Sequence, residues 1–157
     1  EAPAQGFFIP SLLKGLWFDS MILFSYHTIQ RGRRDRLFSI VFYRDRRGRE
    51  PIKEYLEKLH ASAGQNKEHR AKLKKIYEYL GVLSTTGTRA GTPYVKHIKG
   101  DLWELRPVSD RIFFFWWNGA AFVLLHHFTK KSQKTPRQEI ERAERNMRDF
   151  LERSAGQ

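Results

Sequence analysis

Arg111-Ile112-Phe113-Phe114-Phe115-Trp116-Trp117-Asn118-Gly119-Ala120-Ala121-Phe122-Val123-Leu124-Leu125-His126-His127-Phe128 reads as two apolar runs joined by Asn-Gly. That dipeptide suits a two-residue hairpin turn, whose central residues both need positive φ. The runs Ile112 to Trp117 and Phe122 to Leu125 lack polar alternation. Both of their faces must therefore be covered, which makes them central strands. Working outward, Tyr94 to Ile98 and Leu102 to Arg106 read as two further strands, separated by Lys99-Gly100-Asp101 and followed by a turn over Pro107 to Asp110. An earlier strand, Leu37 to Tyr43, stops at the charged turn Arg44 to Arg49.

The remaining segments have helical period. Pro51 opens a first helix in which Ile52, Tyr55, Leu56 and Leu59 form an apolar stripe, and Gly64 ends it. A second helix is expected from about Gln65 to Leu80, with Leu73, Ile76, Tyr77 and Leu80 inward and Gly81 as its stop. The polar stretch Ser84 to Pro93 reads as a loop. After Pro136 a last helix presents Ile140, Ala143, Met147, Phe150 and Leu151 on one side. The expected architecture is α+β: a twisted, antiparallel-rich sheet of four or five strands, with two N-terminal helices and a C-terminal helix packed mainly on one face.

With 157 residues the chain suits one domain, read here as 37–153 with a short tail over 154–157. Residues 1–36 read as an accessory extension; its apolar runs are broken by Pro10, Lys14 and Asp19. They are too short for a membrane-spanning helix, which needs about 20 apolar residues. Basic Gln30 to Arg36 follows the apolar part instead of preceding it, unlike a secretory signal. The extension could instead be a membrane-surface or partner-binding arm. The absence of Cys excludes disulfide and thiol chemistry and fits a cytoplasmic setting. A formal charge of +12 predicts an anionic partner, nucleic acid first.

No Gly-rich phosphate loop and no His-Glu-x-x-His string occurs, and the strand acids are only Asp101, Glu104 and Asp110. No metal site and no cofactor is expected from that inventory. The strands and their ends are instead basic: Lys96, His97, Lys99, Arg106, Arg111, His126, His127, Lys130, Lys131 and Lys134. Such cations can converge on one phosphate. Metal-free RNA cleavage needs a base for the 2′-hydroxyl, cations for the phosphorane charge and an acid for the 5′-oxygen. The period of two places Arg111 with Phe113, Phe115 and Trp117, and Arg106 with Glu104 and Leu102. Arg106 reads either as a salt bridge to Glu104 or the last helix, or as a phosphate clamp. His126 and His127 point to opposite faces, so one at most serves the site, and His127 is favoured for its nearness to Lys130-Lys131. Lys96, Lys99 and Lys134 are candidate RNA contacts.

Three ordered strings carry a resemblance: Gly100 to Arg106, Asp110 to Phe115, and Leu124 to Pro136 with Glu139, Ile140 and Ala143 after it. The most specific is Leu-Leu-His-x-Phe-x-Lys-Lys-x-x-Lys-x-Pro. Over about Phe38 to Arg153 the chain resembles the phage-derived HigB-like branch of the RelE/ParE toxin superfamily. The resemblance implies a RelE-like fold and a type II toxin. It further implies metal-independent cleavage of mRNA, commonly on the ribosome, and neutralisation by a cognate antitoxin, often a helix-turn-helix HigA-like protein. It casts Arg111 as the sheet arginine on the phosphate, Arg106 as its basic neighbour, and Lys130 or Lys131 as the cation after the last strand. The C-terminal tyrosine common in RelE-type proteins is absent, since no Tyr follows Tyr94. Proton transfer would therefore fall to His126, His127 or a lysine. Glu104 stands where the best-known RelE pattern is basic. Two other readings share the fold or the charge: a ParE-like inhibitor of DNA gyrase, and an RNA- or ribosome-binding domain without turnover.

Overall fold

In the computed structural model, which describes residues 38–119 and 121–156, Asn118 and Gly119 take φ of 55° and 67°, as the hairpin turn requires. They join β4 (Asp110–Trp117) to β5 (Ala121–Thr129), the two long strands at the centre of the sheet. On one side β4 pairs antiparallel with β3 (Leu102–Leu105), and β3 pairs with the edge strand β2 (Val95–Lys99). On the other side β5 takes β1 (Ser39–Phe42) as a parallel partner, giving the order β1-β5-β4-β3-β2. Residues 1–36, read from sequence as an extension, lie outside the described residues.

The apolar runs are buried on both faces, and different helices cover each. Helices α1 (Pro51–Ala63) and α2 (Lys67–Thr86) bury Ile52, Leu56, Leu73, Ile76 and Leu83 against Leu105, Ile112, Phe114, Phe122 and Leu124. The C-terminal helix α3 (Arg137–Ala155) sets Ala143, Ile140, Met147 and Phe150 against Leu102, Phe113, Phe115, Val123 and Leu125. Two of the three helices thus share one face, as expected, and α3 covers the other. A sheet whose central strands are apolar on both sides needs two covering layers, and α3 supplies the second. No helix among the described residues is long and apolar enough to cross a membrane.

Two local departures from the sequence reading have physical causes. Helix α2 runs through Gly81 to Thr86, and a 3₁₀ turn (Gly87–Ala90) occupies part of the expected loop. Gly81 is buried, and Ser84 and Thr85 return their hydroxyls to its carbonyl, so packing carries the helix past it. The second departure is a bulge. Phe113 pairs with His126 but Phe114 pairs with Leu124, leaving Leu125 as the extra residue of β5. Leu125 and His126 consequently both face α3, while His127 faces α1.

Helix α3 is seated by contacts at several points along its length. Asn146 Nδ2 donates to the Leu125 carbonyl at 2.9 Å, and Tyr43 Oη donates to Asp149 at 2.7 Å. Asp149 also holds Arg46 at 2.6 Å and Arg153 at 2.8 Å. Exposed pairs of this kind contribute at most about 1 kcal/mol each, so the apolar seat at Ala143 dominates. Ala143→Leu should cost about 1–3 kcal/mol by overpacking that seat. A denaturant midpoint equal to wild type would show that α3 is not held there.

Candidate functional site

The turn between β3 and β4 places two arginines side by side. Leu105 is paired with Ile112, so the next step along the register brings Arg106 alongside Arg111, both on the face turned toward α3. Glu104 shares that face and is 1% exposed. Its Oε1 lies 3.5 Å from Nε of Arg106 and 3.5 Å from Nε of Arg111, and Thr135 Oγ1 donates to its Oε2 at 3.2 Å. The Arg106 side chain is 27% exposed and that of Arg111 only 9%. Burial lowers the Arg111 pKa from the ordinary arginine value, and the Glu104 charge opposes that shift. An arginine stays charged under such conditions. Of the two sequence readings of Arg106, the salt bridge to Glu104 is present, and the same side chain still reaches the pocket.

Arg111 is fixed further by the turn. Its Nη1 donates to the carbonyls of Val108 at 2.7 Å and of Asp110 at 2.8 Å. Val108 has φ of 54° and is 67% exposed, an uncommon conformation for a β-branched residue. The backbone N–H of Lys130 donates to the Ser109 carbonyl at 2.8 Å, tying the segment after β5 to the same turn. The result is an open pocket of about 530 Å³ lined by Arg106, Val108, Ser109, Arg111, Lys130, Lys131, Ser132 and Gln133. Four cations line it, and one buried carboxylate, that of Glu104, is set against the two arginines, so positive charge is in excess by three. Such an excess of positive charge is chemically suited to a phosphate dianion or a phosphodiester strand.

Of the residues singled out from sequence, the pocket brings together Arg106, Arg111, Lys130 and Lys131. The others sit elsewhere. Lys99 pairs with Glu144 of α3 at 2.8 Å, and Lys134 is exposed in the loop before α3 without lining the pocket. Lys96 is exposed on edge strand β2, register-opposite Glu104. His126 is buried and hydrogen-bonded to Glu139 of α3. Desolvation lowers its pKa, with the Glu139 bond opposing. His127, favoured from sequence, does not line the pocket. It lies on the face opposite the arginines, stacked on Tyr55 at 3.8 Å between ring centroids, with burial pushing its pKa down to about 4. Glu104, which the sequence offered as a salt-bridge partner of Arg106 and as a departure from a family pattern, anchors both arginines. The contributions of Val108, Ser109, Ser132 and Gln133 had no distinguishing signal, because they come from turns whose shape depends on strand register.

Residues 55–148 match the family model described as phage derived protein Gp49-like (DUF891). No curated protein matches the chain.

Two expectations follow from the charges. Glu104→Gln leaves two adjacent guanidinium groups without their shared counter-charge and should lower stability by about 3 kcal/mol in urea unfolding; an unchanged free energy would mean the triad is not coupled. For His127, the folded pKa of about 4 lies below its ordinary 6.5. Between those values the unfolded chain binds a proton that the folded chain refuses, so stability falls as pH drops from 6.5 toward 4, by up to about 3 kcal/mol. His127→Phe should remove most of that slope, and a variant with the wild-type pH profile would contradict it.

Proposed function

The chain belongs to the phage-derived Gp49-like family, a RelE/HigB-like toxin family, and on that premise we propose that it is a type II toxin that cleaves mRNA in the cationic pocket. The observation that carries this reading is the pair Arg106 and Arg111 over one buried carboxylate, with Lys130 and Lys131 on the same wall. In the proposed reaction the ribose 2′-oxygen attacks the adjacent phosphorus. A 2′,3′-cyclic phosphate forms, the bond to the 5′-oxygen breaks, and that oxygen leaves with a proton. Charge on the phosphorane oxygens is met by the two guanidinium groups, prearranged and partly shielded from water, where such interactions are strong. The pocket lining holds no imidazole or carboxylate, so Lys130 and Lys131 are the lining groups able to exchange protons with the attacking and leaving oxygens.

The partners follow from the same surface. Toxins of this kind generally pair with an antitoxin. We propose a helix-turn-helix, HigA-like antitoxin that presents acidic surface to the pocket and inhibits by covering it. Ribosome-bound mRNA is the proposed substrate, its phosphates supplying the anionic partner that a charge of +12 calls for.

Inducible expression in a bacterial host, with 5′ ends of cellular mRNA mapped within minutes, tests the reading. New ends within translated frames should appear, and Arg111→Ala should reduce them by about 100-fold, the usual loss on removing one donor to a transition-state charge. Growth arrest with intact mRNA and broken DNA would move the gyrase-inhibitor reading to first place. Ribosome binding without cleavage would leave a non-catalytic RNA-binding domain.

A further inference from the structure

We infer that Tyr55, on the opposite side of the sheet from the pocket, is a positioning residue for Arg111 that acts through Asp110; the inference rests on the reading of Arg111 as the phosphate-binding cation. Asp110 begins β4, and the alternation of the strand turns its carboxylate toward α1 while the next side chain, Arg111, faces α3. The carboxylate belongs to a residue only 1% exposed, and no Lys or Arg forms an ion pair with it among the described residues. A buried carboxylate without a cation is costly unless hydrogen bonds replace its water. Two hydroxyls do so. Tyr55 Oη lies 3.1 Å from each carboxylate oxygen, and Thr129 Oγ1 donates to Oδ1 at 3.0 Å.

Tyr55 is itself held. Its ring stacks on His127 with an interplanar angle of 14°, and burial together with the Asp110 charge raises its pKa, so it remains a phenol donor. The main chain of Asp110 completes the link. Its N–H donates to the Pro107 carbonyl at 3.0 Å, and its own carbonyl accepts from Arg111 Nη1 at 2.8 Å. The Asp110 peptide is thus fixed from the α1 side by its side chain, and it fixes Arg111 on the α3 side by its carbonyl. Nη1 is committed to two carbonyls and Nε faces Glu104, while Nη2 makes no hydrogen bond among the described residues. Nη2 is the nitrogen left for a phosphate oxygen. Without the Tyr55 hydroxyl, Oδ2 of Asp110 has no donor, and the carboxylate is drawn toward water. The peptide that orients Arg111 turns with it.

Tyr55→Phe keeps the ring stack and removes the hydroxyl, and Thr129→Val removes the second donor independently. The readout that a merely structural clamp would not move is the Arg111 guanidinium itself, followed by side-chain NMR on the full chain and assigned by its loss in Arg111→Lys. Wild type should show separate Nη1 and Nη2 signals, because rotation about Cζ–Nη is hindered, and both variants should show them averaged. RNA cleavage by Tyr55→Phe should fall on the order of 10- to 100-fold in kcat with KM unchanged, as expected for a misdirected catalytic group. Separate signals retained in both folded variants would overturn the inference. Absence of cleavage by wild type would defeat the proposed activity alone, since the NMR comparison decides the positioning role without it.

Discussion

A single buried carboxylate organises the site. Glu104 is withdrawn from water between Arg106 and Arg111, and the energy of that arrangement works in two directions. Removing the carboxylate would leave two like charges adjacent and partly desolvated. Keeping it neutralises only one of them, so the pair holds a permanent excess of positive charge. Each Nε faces Glu104, and neither donates a hydrogen bond. Electrostatic attraction holds the pair to Glu104, the two Nη1 bonds to the turn orient Arg111, and its Nη2 is left for a ligand. The design is a preorganised cation pair whose reorganisation cost is met when the chain folds.

Everything that makes this triad possible is a consequence of sheet geometry. Glu104, Arg106 and Arg111 share a face because two strands with a period of two meet across the turn at Pro107 to Asp110. Lys130 joins them because its backbone is bonded to that turn and because β5 ends beside the start of β4. The bulge at Leu125 turns His126 toward α3, where Glu139 engages it, and leaves His127 with Tyr55 on the far side. The two histidines are thereby spent on joining helices to the sheet. The cations of the last turn and loop are what remain open to an anionic ligand.

How far the sequence could be read follows from which facts are local. The Asn118-Gly119 turn, the central position of β4 and β5, and the face shared by Arg111, Phe113 and Phe115 are set by composition and by alternation within one strand. They stand as read. The extent of α2 was misread because Gly81 and the polar run after it are overridden by packing and by hydroxyl bonds to the helix carbonyls. That both faces of β4 and β5 are covered was legible from their composition, but not that α3 supplies the second layer, because nothing in its stripe says which face of the sheet it meets. Convergence of Arg106, Arg111 and Lys130 was half legible: alternation gave the faces, but the contribution of Lys130 needs the bond to Ser109. The Tyr55 to Asp110 contact was not legible at all. It spans 55 positions and depends on how α1 docks, and no local pattern encodes it.

The central claim is that the arginine pair is a site for RNA phosphate. Titration of the full chain with an uncleavable 2′-O-methyl RNA oligonucleotide over a range of salt concentrations addresses it directly, comparing wild type with the double variant Arg106→Gln/Arg111→Gln. Each phosphate contact on a single strand contributes about 0.7 to the slope of log affinity against log salt. The account predicts weaker binding by the folded double variant and a slope smaller by about 1.4. An affinity and slope equal to those of wild type would contradict it.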